Sequence, residues 1–197
     1  MAAMTKGERT RQKIVADAAA VFNTRGYDGT SLAELMAATG LTKGGIYRHF
    51  GSKEELAAEA FDFTWAAAIE RRVPEIDEKK DGIGWLRALI ANFVTRRPAV
   101  AGGCPLLNTA IDADDGNPVL RARVTRALDH WMSRIESTVK HAIRRKQIRP
   151  DVNPKMVATL VVATLEGALM VSRLEKSDDA LRRVQAHLNE YLDSLLP

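Results

Sequence analysis

Three Ser/Thr-x-x-Glu tetrads stand near the start of the chain: Thr5 with Glu8, Ser31 with Glu34, and Ser52 with Glu55. Each is the pattern of a capping box, in which the hydroxyl accepts an N–H three residues on and the carboxylate reaches back to the first backbone donor. Gly26 and Gly40 stand where the helices opened by the first two tetrads must stop. The pattern predicts a first helix between Thr5 and Gly26 and a second between Ser31 and Gly40. A third is capped by Thr42 and runs to about His49 or Phe50, and a fourth runs from Ser52 until Pro74. Further on, a helix fits 83–97 before Pro98, and a Gly-Gly-Cys-Pro turn at 102–105 starts a shorter one. Asn117-Pro118 and Asn153-Pro154 each place a cap residue before a proline at the first helical position. Leu120, Val124, Leu128, Trp131, Ile135, Val139 and Ala142 recur in steps of three and four, and Ser177/Asp178 opens the last helix. No segment alternates as a strand would. The expected fold is all-α, with about nine helices: a three-helix head followed by a helical body.

Where the charge sits narrows the function. The 197 residues carry 29 basic and 25 acidic side chains, a formal net charge of +4. Lys6, Arg9, Arg11, Lys13, Arg25, Lys43, Arg48 and Lys53 outnumber Glu8, Asp17, Asp28 and Glu34 within residues 1–53. The whole excess therefore lies in the head, and the rest of the chain balances. A basic head on a neutral body points to an anionic partner such as nucleic acid.

Other classes lose ground. A hydrophobic share of 46% suits a globular core, and one cysteine rules out a disulfide framework within the chain. The most apolar stretch, 156–172, is shorter than a membrane span and carries Glu166, so no membrane association is expected. The apolar run at 14–22 contains Asp17 and does not read as a secretory signal. The expected location is the cytoplasm. No nucleophile–base–acid set, phosphate-cradling loop or metal cluster stands out, so no enzyme, cofactor or metal is expected.

The second and third helices meet at Gly40-Leu41, which is helix-turn-helix spacing. Leu32, Leu35, Leu41 and Ile46 fall where that pair needs apolar contacts. The outward residues of the third helix are Thr42, Lys43, Gly44, Gly45, Tyr47, Arg48 and His49. Thr42 and Lys43, at its leading end, can reach base edges, and lysine suits guanine. Gly44 and Gly45 each cost a helix about 1 kcal/mol against alanine, which makes sense if another surface must come close. Tyr47, His49, Thr30 and Ser31 can donate to phosphates, and Lys53, a poor partner for a helix start, is explained by a phosphate nearby.

The stretch FNTRGYDGTSLAELMAATGLTKGGIYRHFGSKEELAAEAF, residues 22–61, resembles the N-terminal domain of the TetR repressor family. Its most specific part is Tyr47 and Phe50 at the end of the third helix, followed by Gly-Ser-Lys-Glu-Glu-Leu at 51–56. Met36 stands where many members carry a small residue. The resemblance implies a homodimeric repressor that binds an inverted-repeat DNA operator through residues 1–53. It also implies an effector-binding and dimerisation body over 54–197, with an unidentified small molecule releasing the DNA. An effector pocket is implied among Trp85, Phe93, Cys104, Leu107, Asn108, Ile111, Trp131 and Ile135.

The helix starting at Pro154 is apolar on more than one face, so one side is expected in its own core and another against a partner. With the last helix it supplies the expected dimer contacts: Val161, Leu165, Ala168, Leu169, Leu181, Val184, Leu188 and Leu192. Cys104, at a helix start, reads either as a buried small hydrophobe or as a thiol that senses electrophiles or oxidants. Control by a partner protein, with activation in place of repression, is the remaining alternative.

Overall fold

A computed structural model of the chain describes residues 4–75 and 77–197. Among them are nine helices and no strand: α1 Lys6–Arg25, α2 Leu32–Thr39, α3 Lys43–Tyr47, α4 Lys53–Arg72, α5 Gly82–Thr95, α6 Pro105–Ala113, α7 Pro118–Arg144, α8 Pro154–Glu175 and α9 Asp179–Ser194. Thr5 and Ser31 cap α1 and α2 as complete boxes, and Gly40 closes α2 in the left-handed conformation. The third tetrad closes only halfway. Ser52 accepts the Glu55 N–H at 3.0 Å, while the Glu55 carboxylate turns to the Gly51 N–H at 2.7 Å.

Two spans differ from the sequence expectation. α3 stops at Tyr47, because the His49 N–H bonds Ile46 three residues back and so tightens out of the α pattern. α5 starts earlier than expected, since Asp81 caps it by accepting the Gly84 N–H at 2.9 Å, and it ends earlier because the Arg96 backbone is already extended.

The chain forms two compact units. The first joins the segment up to Ala68 with Pro98–Ala127. Its core is Ile14, Val15, Ala18, Leu35, Ile46, Phe50 and Leu56, with Met36 and Leu41 packed partly buried against it. α6 is fastened to the end of α1 in this unit. Asn108 donates to the carbonyls of Asn23 and Gly102, each at 2.8 Å, and Asn23 donates to that of Ala101 at 2.8 Å. The Asp112 carboxylate accepts the Tyr27 N–H.

The second unit joins Ile69–Arg97 with Leu128–Pro197, and in it α5, α8 and α9 pack together. Val161, Leu165, Ala168, Leu181, Leu188 and Leu192 are all buried here within one chain. These six belong to the expected dimer face, and within one chain they pack inward. α8 needs an inward apolar face to hold α9, and helical period alone does not separate inner from outer. Leu169 and Val184 are half-buried. The outward side of α8 instead carries Met156, Leu160, Met170 and Leu174, exposed by 55, 39, 50 and 78%. With Ala163 and Gly167 they recur in steps of four and three along one stripe.

α8 is also longer than the apolar stretch of the sequence reading. Its 22 residues are long and apolar enough, by length and composition, to cross a membrane. In this fold its inward face is spent on α5 and α9.

The boxes at Thr5 and Ser31 carry a pH dependence. Glu8 and Glu34 sit below the ordinary 4.5, chiefly because each accepts a backbone N–H at the cap. A lowered carboxylate value means that stability is complete above 4.5 and is lost as the pH falls through the folded value. Acid titration of helical circular dichroism should therefore be flat above 4.5 and decline below it, less steeply in Glu34→Gln.

Candidate nucleic-acid interface

The interface is built on α3, whose inner side is fixed by two side chains, Ile46 and Phe50, each 1% exposed. That anchoring turns the remaining residues outward. Thr42 caps the helix by accepting the Gly45 N–H at 3.2 Å, and Thr42, Lys43, Gly44, Tyr47 and Arg48 are exposed. Gly45 and His49 are half-buried.

The two glycines differ. A Cβ on Gly45 would come within 3.3 Å of the Leu41 side chain, so this glycine lets the turn close. A Cβ on Gly44 would meet nothing within 4 Å, and its backbone is in the ordinary right-handed helical range. Neither packing nor backbone geometry in the chain asks for glycine at 44. The bare backbone there is a surface onto which another molecule can come close.

Three expected phosphate donors have other duties. Thr30 is 1% exposed, and its hydroxyl donates to the Gly26 carbonyl at 2.6 Å. It holds the turn before α2 and offers no outward surface. Ser31 stays exposed, though its hydroxyl is engaged with Glu34 at 2.9 Å. Lys53 donates to the Tyr27 carbonyl at 2.5 Å and lies 4.3 Å from the centre of the Tyr27 ring. A lysine at this helix start is thus explained inside the chain, by a contact across 26 residues that no local pattern signals.

Arg11 of α1 is a residue the sequence reading passed over. Its guanidinium donates to the His49 carbonyl, to Glu55 at 2.6 Å and to Glu59 at 3.2 Å, and stacks 4.1 Å from the centre of the Phe50 ring. Glu55 sits below the ordinary carboxylate value because of Arg11 first and the Gly51 N–H second. The available signal was position: Arg11 stands one turn ahead of Ile14 and Val15, on the side of α1 that goes inward.

Comparison with known proteins agrees with this head. Residues 14–60 match the family described as bacterial regulatory proteins, tetR family, and residues 82–188 match the tetracyclin repressor-like C-terminal domain. The chain belongs to the TetR family. A TetR transcriptional regulator from Chloroflexus aurantiacus J-10-FL is 43% identical, with a TM-score of 0.88 over 96% of this chain and 97% of that one. A TetR-family regulator from Cytophaga hutchinsonii is 33% identical, also at 0.88, over 99% and 98%. The transcriptional repressor DhaR of Mycobacterium sp. strain GP1 is 24% identical over 95% of this chain and 92% of its own length. This TetR-family chain is accordingly a helix-turn-helix DNA-binding transcription regulator.

The residues expected at an effector pocket fall in both units of the TetR-family chain. In the first unit, Cys104 is 1% exposed at the start of α6, Leu107 and Asn108 are half-buried, and Ile111 points outward at 67%. Asn108 lines a cavity of about 20 Å³ with Phe22, Tyr27 and Asp112, room for little more than one water. In the second unit, Trp85, Phe93, Trp131 and Ile135 are core. The Phe93 and Trp131 rings stack at 6.2 Å, and the Arg72 guanidinium covers Phe93 at 4.1 Å. Among the described residues, Trp85 Nε1 is buried with no acceptor in reach, and no group of three or more His, Cys, Asp or Glu could hold a metal.

Proposed function

We propose that this protein is a cytoplasmic homodimeric repressor that binds an inverted-repeat operator and is released by a small-molecule effector. The observation that carries the DNA reading is Gly44: an exposed, unstrained helical glycine with empty space above it, beside exposed Lys43 and Tyr47. DNA entering that space meets backbone and a lysine at the leading end of the helix. The family match supports the same reading.

The dimer is supported by the outward stripe of α8. Four large apolar side chains around Ala163 and Gly167 offer one helix a seat on its symmetry mate, and two reading heads require two-fold symmetry. Residues 1–53 are assigned DNA contact and 54–197 effector binding and dimerisation. This boundary is one of function, since the compact unit holding the head also takes in α6.

Support for the effector comes from the C-terminal family match and from the buried Trp85 N–H, a donor that a ligand acceptor would satisfy. Release requires the effector to bind one head spacing better than the other. The burial of Cys104 favours its packing role over thiol sensing, which needs access to the sulfur.

Selection of random duplex DNA on the purified protein tests the reading. An enriched palindrome with half-sites about one helical turn apart, ~34 Å, is the expected product. A folded dimer that enriches nothing would overturn it. Lys43→Met should weaken operator binding by about 1–3 kcal/mol and relax the preference at one base position. An unchanged position profile removes Lys43 from base reading.

A further inference from the structure

α3 has five residues, too few to hold a direction by its own hydrogen bonds. Its direction is set by what grips it. Ile46 and Phe50 hold its inner side in the apolar core. Its far end is held by one side chain from another helix. Arg11 donates to the carbonyl of His49, just past the helix, and its guanidinium covers the ring of Phe50. The same group binds Glu55 and Glu59 in α4, and Glu55 takes the N–H of Gly51 in the intervening turn. One planar cation thereby ties the end of α3, the turn after it and the start of α4 to α1. Only a fork of fixed donors can serve these partners together, and lysine has no such fork. Two carboxylates on one guanidinium leave the cluster with an excess of negative charge, which makes a poor seat for a phosphate.

We infer that Arg11 is a positioning residue for DNA recognition, fixing the angle at which α3 meets the base edges without itself touching the DNA. The inference rests on α3 being the reading helix.

The test measures binding of wild type, Arg11→Met, Arg11→Lys and Glu59→Gln over a salt series. The probes are the palindromic duplex enriched from the random selection and a scrambled duplex of equal length. Arg11→Met should bind the palindrome about tenfold more weakly, as for one lost base contact, and the scrambled duplex as wild type does. Its salt slope should match wild type, and Arg11→Lys should fall between the two. A purely structural role reduces the folded fraction and lowers binding to both duplexes by one factor. Equal losses, or no loss, therefore overturn the inference. A slope flatter by about one places Arg11 on a phosphate and overturns it as well. If Arg11→Met lacks the wild-type helical signal, the ratio of the two affinities in Arg11→Lys and Glu59→Gln decides in the same way. A random selection on wild type that enriches no duplex leaves α3 no sequence to read and overturns the reading on which the inference rests. That failure is separate from one in which wild type and Arg11→Met discriminate equally.

Discussion

Gly44→Leu should lower operator affinity on the order of a hundredfold, ~2.7 kcal/mol, while the protein melts no earlier than wild type. The two halves of this expectation come from one observation. A Cβ at 44 meets nothing within 4 Å, and the backbone needs no positive φ. A side chain there is therefore harmless to the fold. Replacing glycine in a helix by alanine even stabilises by roughly 0.5–1 kcal/mol. In the proposed operator complex the same side chain would stand where the helix backbone comes close to the DNA, and its bulk would push α3 out of the groove. Gly44→Ala should show the sign split most plainly, with higher thermal stability and weaker binding. The pair of measurements is a thermal melt followed by circular dichroism and a fluorescence-anisotropy titration with the selected palindrome. Binding of Gly44→Leu at wild-type strength would mean that DNA does not approach α3 at this point.

The second large effect is expected from Leu160→Glu combined with Met170→Glu. Both side chains lie on the outward stripe of α8, 39 and 50% exposed, so a carboxylate at either place remains in water in the isolated chain. Across a two-fold axis, four carboxylates would instead meet in an apolar contact and would have to be desolvated without partners. Sedimentation equilibrium should give a monomer with unchanged helical content. Operator affinity should fall by about 10²–10⁴, because each half-site then binds without the effective concentration supplied by its mate. A double variant that still sediments as a dimer would move the interface away from this stripe.

The head was legible because its signals are local. Capping boxes, glycine stops and a cap before proline are short-range chemistry, and they set α1, α2, α7 and α8 in place from the sequence alone. The exposed face of α3 was legible for a related reason. Ile46 within it and Phe50 just after it are the apolar anchors, so the polar residues had to turn away from the core. What could not be read depends on partners distant in sequence. The intrachain contacts of Lys53 and Thr30 are of this kind, since each engages the turn between α1 and α2. Arg11 was passed over because a cation among basic neighbours reads as solvated charge until Glu55, Glu59 and His49 come round it. α8 presents a different difficulty. It is apolar on two sides, and the period names both faces without saying which meets α9 and which is left outward.

The fastening of α6 to the end of α1 bears on how such regulators could be recombined. A reading head cut at residue 53 would leave behind the groups that bind the Asn23 carbonyl and the Tyr27 N–H, namely Asn108 and Asp112. It would also lose Ala57, Ala58, Ala113 and Leu120, against which Phe22 and Tyr27 pack. A chimera that takes its operator preference from this chain and its body from a relative must therefore inherit two separate stretches, the N-terminal segment and the one containing α6. In this chain the compact unit that holds the reading head is discontinuous, and a crossover at residue 53 cuts through it.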